Sequence, residues 1–154
     1  LLLVFVCHLG YAQGINGLFN EFGSEKNADC VKVSSFMMSL GKMFAGHDED
    51  AKIIRKIKSI KVLDLESCTA SVKERFNKKV NKLNLKGYDE LMRVNDEGEK
   101  VRVLMKTKKE TIRELLFVCT GKEDCTLVQI NGKFTKDDID KLVNQETGKK
   151  HGRR

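Results

Sequence analysis

The chain has 154 residues, 40% of them hydrophobic and 33% charged, with a formal net charge of +7 and neither Pro nor Trp. That length suits one domain able to bury about two-thirds of its unfolded surface, and the apolar content excludes a disordered chain. Without Pro there are no Pro-rich ligand motifs or rigid linkers, and no repeat of solenoid period occurs.

Residues 1–12 read as a secretory signal peptide truncated at its start. Leu1 to Val6 is an unbroken apolar run, and the small residues Gly10 and Ala12 place the cut between Ala12 and Gln13. The run is far short of the ~20 residues that span a bilayer. Cys7 raises a lipoprotein alternative, but a lipobox wants a small residue before the Cys, and Val6 stands there. The expected location is the periplasm or another exported, oxidising compartment.

Ile15, Leu18, Phe19 and Phe22 recur at helical spacing and predict a short helix. Ala28 to Val33 reads as a strand. Ser34 is a good N-cap for a Met-rich helix over Phe36 to Phe44, with Val33 and Met38 placed as a hydrophobic staple. Gly46 and His47 break it, and Asp48 can cap a second short helix carrying Ile53, Ile54 and Ile57. Ile60 to Leu65 suits a strand covered on one face and partly on the other. Cys68, Val72, Phe76, Val80 and Leu83 then form the stripe of the clearest helix, with Lys73, Arg75, Lys78, Lys79 and Lys82 on a solvated outer face.

After Gly87 the period changes to two. Tyr88 to Val94, Val101 to Thr107, Thr111 to Cys119 and Cys125 to Asn131 are separated by turn signals and form an antiparallel meander. Leu115 to Val118 is apolar on both faces, so its strand is expected to be central. Thr135 and Asp138 make a capping box for a last helix to about Val143, with Phe134 stapled to Ile139. The expected fold class is α+β: a mainly antiparallel sheet of five to six strands with helices packed on one face. One domain spans 13–145, and 146–154 is a disordered basic tail. Lys149, Lys150, Arg153 and Arg154 in that tail carry four of the net charges. The charge is therefore no argument for nucleic acid, and membrane contact is expected to be peripheral at most.

No P-loop, dinucleotide fingerprint or nucleophile elbow occurs. With three His, one of them in the leader, no metal, cofactor or catalytic site is expected. A weak cation site at His47, Asp48, Glu49 and Asp50 is outweighed by a capped helix start. Asp64 and Glu66 are the nearest approach to an acid–base pair, and Asp64 is expected near solvent at a strand end. Cys119 and Cys125 flank a hairpin loop and would face each other, which predicts a disulfide unless the register slips by one. Cys30 and Cys68 are expected to be buried, unpaired thiols.

The opening INGLFNEFGSEKNADCVKVS, the FMMSLGKMF stretch, KVLDLES and the ending INGKFTKDDIDKL resemble a family of small exported Bacteroidota proteins catalogued as domain of unknown function 4252. The resemblance spans Ile15 to about Gln145. It implies a cell-envelope location, an α+β fold, an accessory role in envelope stress and no assigned activity. The leading functional expectation is a non-enzymatic interaction module with an envelope protein partner. The alternatives are a binder of an apolar or anionic small molecule lined by Met37, Met38, Met43 and Phe44, and an enzyme with an unrecognised site.

Overall fold

The structure is a computed structural model that describes residues 14–33, 49–141 and 144. The leader, the Met-rich stretch with Met37, Met38, Met43 and Phe44, the caps Ser34 and Asp48, His47 and the basic tail lie outside the described residues.

The first helix, α1 (Ile15–Phe22), buries the four apolar residues of its stripe and ends where the Gly23 amide bonds back to Phe19. Strand β1 (Asp29–Val33) follows, then α2 (Glu49–Ile54) and β2 (Ile57–Asp64). Ile57 begins this strand and is not helical as the periodicity suggested, because Gly132 draws the α2–β2 link onto the sheet. The Lys133 amide donates to the Lys56 carbonyl at 3.1 Å. A Cβ on Gly132 would lie 2.5 Å from that carbonyl oxygen, so only glycine permits the approach.

Thr69 caps α3 (Ala70–Asn81), its side chain accepting from the Val72 amide. The meander consists of β3 (Asp89–Asp96), β4 (Glu99–Lys108), β5 (Thr111–Thr120) and β6 (Thr126–Phe134). The last helix, α4, covers 136–141. Its capping box is formed as expected: Thr135 N donates to Asp138 at 2.7 Å, and Asp138 N donates to the Thr135 hydroxyl at 3.2 Å.

All six strands join one antiparallel sheet in the order β1-β2-β6-β5-β4-β3. The fold class is therefore α+β, and β5 is an interior strand. α1 and α3 lie on one face, over Leu63, Leu127, Leu116, Val118 and Leu104. Phe22 meets Phe76 edge-to-face at 5.3 Å between ring centres. A second cluster joins Ile53 of α2 and Ile139 of α4 to Leu115 and, at its margin, Ile130. Leu115 and Leu116 are neighbours in β5 and so point to opposite faces. The short helices thus cover one end of the face that α1 and α3 leave.

The outer face of α3 is less solvated than its composition implies. Arg75 pairs with Glu25, Lys79 lies 2.5 Å from Glu21, and Lys73 is only 9% exposed. These long side chains lay apolar stems on the protein, and Arg75 and Lys79 end on carboxylates of the α1 region, clamping α1 to α3.

Candidate functional site

Strand pairing aligns one apolar residue from each strand in a single line across the sheet: Val31, Val62, Val128, Phe117, Val103 and Met92. These residues share the face opposite α1 and α3. A second line, two residues along each strand, runs Asp29, Asp64, Thr126, Cys119, Val101 and Val94. The line on the other side, Val33, Ile60, Ile130, Leu115 and Met105, belongs to the end reached by α2 and α4.

Among the described residues, the first two lines are the open part. Val31 is 55% exposed, Met92 49%, Val94 46% and Phe117 37%, while Val103 is sheltered between Phe117 and Met92. Antiparallel sheets with one packed face normally turn polar residues to the other. Here β3 does the reverse, and β4 does so at its Arg102 end, although its Leu104 stays in the helix-side core. Glu90, Arg93 and Arg102 lie on the helix side, where Arg93 and Arg102 both bond the Glu90 carboxylate at 2.8 Å and hold it at a pKa of about 2. Met92, Val94, Val101 and Val103 lie on the open side. An apolar patch of this extent, with Asp29 and Asp64 at its β1–β2 end, is a candidate binding surface.

A polar group closes the helix-covered core at its other margin. The Tyr88 hydroxyl donates to Glu114 Oε1 at 2.5 Å, and the buried Gln129 amide donates to the same oxygen at 3.0 Å. Burial and the adjoining carboxylate push the Tyr88 phenol well above its ordinary pKa, so it stays a protonated donor. Lys106 sits over the Tyr88 ring at 5.4 Å.

Asn77, Asn81, Gly98, Lys100, Thr120 and Gly121 line a cavity of about 140 Å³. That is below the roughly 300–1,000 Å³ of small-molecule sites. A groove of about 320 Å³ runs between loop tips at Glu97, Gly98, Glu99, Lys122 and Glu123. Glu99 closes the β5–β6 loop by accepting from the Lys122 and Glu123 amides at 3.1 and 3.3 Å.

The disulfide expected between Cys119 and Cys125 does not form; both are free thiols. Cys119 pairs with Thr126, so Cys125 falls one position out of register and on the opposite face. Its buried Sγ donates to Asn77 Oδ1 at 3.3 Å and the Gly121 carbonyl at 3.4 Å. Cys68 is buried as expected, but Cys30 is exposed, because β1 is an edge strand. Burial pushes the Cys68, Cys119 and Cys125 thiols up, away from the thiolate. Asp64 is half-buried at its strand end and accepts from the Glu66 amide at 2.9 Å, while Glu66 is exposed. Among the described residues no group of three or more His, Cys, Asp or Glu side chains is placed to hold a metal ion.

Sequence reasoning missed the apolar line altogether. Alternation marks which residues share a face within a strand, but only register joins them across strands.

The sheet, its helices and the open apolar face define an α+β protein built on one antiparallel six-stranded meander-containing sheet. More particularly, the chain belongs to the domain of unknown function family DUF4252, whose family model matches residues 22–142. No curated protein and no solved structure matches it.

Proposed function

We propose that the protein is a non-enzymatic interaction module of the cell envelope, exported by the leader read in residues 1–12, and that it binds a protein partner through the open sheet face. One observation carries this reading: the line from Val31 to Met92 presents apolar side chains where a solvated sheet face would be polar. Phe117, interior in the sheet yet 37% exposed, is its natural anchor.

Crosslinking of the tagged protein in its native envelope, followed by mass spectrometry, tests the proposal. A discrete protein partner is expected, and Phe117→Lys should reduce its capture at least tenfold. Persistent absence of any partner, including a second copy of the chain, would contradict the proposal.

A further inference from the structure

We infer that the protein rests on a bilayer surface of anionic phospholipid through lysines on the sheet face that carries α1 and α3, at the end where β2 and β5 begin. The inference rests on the envelope location proposed above and is independent of what binds the open face.

Register gathers these lysines. Lys32, Lys61 and Gln129 form one line of that face with Leu116 and Leu104. Ser59, Asn131, Glu114 and Lys106 form the next. Phe134 and Ile112 point into the second cluster on the other face. Lys133, beside Phe134, therefore turns to the helix-bearing face, as does Lys108 beside Thr107, the partner of Ile112. Lys32 and Lys61 stand directly opposite each other, which costs stability unless an anion neutralises them. Among the described residues none of these lysines forms an ion pair. Glu114, the carboxylate in their midst, already accepts from Tyr88 and Gln129.

The other ends of the same strands are acidic. Asp29, Asp64, Asp96 and Glu99 lie there with Glu123 and Asp124 of the β5–β6 loop, against Lys100 and Lys122. The ten residues of β4, at about 3.3 Å each, put about 30 Å between the two ends. That is about three times the ~10 Å screening length of 0.1 M salt, so the acidic end does not oppose adsorption of the basic one. An anionic plane draws the molecule down by one end and holds the acidic end away.

The form of the array selects the partner. From Lys32 on β1 to Lys106 on β4 there are four strand spacings, about 20 Å, too wide for one phosphate and suited to several headgroups in a plane. All are lysines, hydrated point charges without the fork by which arginine grips a single phosphate. The aromatic rings are covered, Lys61 lying over Phe19 and Lys106 over Tyr88. Among the described residues this face thus offers no platform on which bases would stack.

Co-sedimentation of the mature chain, from Gln13, with lipid vesicles is the test. Vesicles of phosphatidylcholine with about 30% phosphatidylglycerol should pull it down in about 0.1 M salt, and about 0.5 M salt should release it. Phosphatidylcholine alone should not bind it. Each lysine at such a surface strengthens adsorption about fivefold, so Lys106→Glu with Lys133→Glu should weaken it by about tenfold or more. Circular dichroism checks folding; if that pair fails to fold, Lys32→Glu with Lys108→Glu should give the same loss. Lys100→Glu with Lys122→Glu, an equal change of net charge at the acidic end, should cost less than about threefold. No adsorption to the anionic vesicles overturns the inference. Adsorption lost in the tail pair Lys149→Glu and Lys150→Glu but kept in both face pairs does so too. A DNA duplex that displaces the vesicles at equal phosphate concentration would assign the lysines to nucleic acid and overturn it as well. All these outcomes are read on purified components, apart from capture of a protein partner through Phe117 on the opposite face.

Discussion

Asp138 ties the last helix to the rest of the molecule through more bonds than a cap needs. Besides the Thr135 bonds, both its oxygens accept from Lys56 Nζ at 2.6 Å. Burial alone would raise its pKa, but the hydrogen bonds from Lys56 and Thr135 outweigh burial and lower it. A carboxylate with a depressed folded pKa contributes stability that is complete above its unfolded value of about 3.9. That contribution is lost as pH falls through the folded value. Asp138→Asn should therefore lower the melting temperature at pH 7, by the equivalent of about 1–2 kcal/mol. The difference from the unaltered protein should vanish at the acid end of a pH series. Tyr88→Phe tests a different kind of bond. Glu114 keeps its Gln129 donor, so the loss should be one hydrogen bond of about 1 kcal/mol, read by denaturant unfolding.

Among the elements, the β4–β5 hairpin carries local strain. Its turn residues Lys109 and Glu110 hold φ of 50° and 64°, the left-handed region that side chains resist. In the β3–β4 turn, Glu97 (φ 45°) is followed by Gly98 (φ 89°), and that glycine suits its place. Glu110→Gly should accordingly stabilise the protein by about 0.5–1 kcal/mol in thermal unfolding. Helix starts were legible in the sequence because caps are local. Thr135 needs only Asp138, whereas the Thr69 cap of α3, equally local, went unread. The stripes of α1 and α3, the four meander strands and the interior place of β5 followed from periodicity alone. Contacts distant in sequence were not legible. Lys56 lies 82 residues from Asp138, and nothing local links Ile57 to Gly132. A one-residue offset was enough to put Cys119 and Cys125 on opposite faces.

At the scale of the whole molecule, the sheet is amphipathic in an unusual sense. One face is buried under α1 and α3, and the other remains apolar from Val31 to Met92 with charge confined to its corners. Each strand looks ordinary by itself, since an exposed Val or Met is common on any surface. Only the sixfold alignment turns scattered apolar residues into a surface, which is why the candidate site lay beyond what the sequence could show. Site-specific photo-crosslinking in the native envelope tests this most directly, with a photoreactive phenylalanine analogue placed at Phe117 and, in a parallel chain, at Lys78 on the exposed side of α3. Discrete protein adducts from position 117 and none from 78 are predicted. Adducts from 78 alone, or none from 117, would contradict the assignment of the open sheet face as the binding surface.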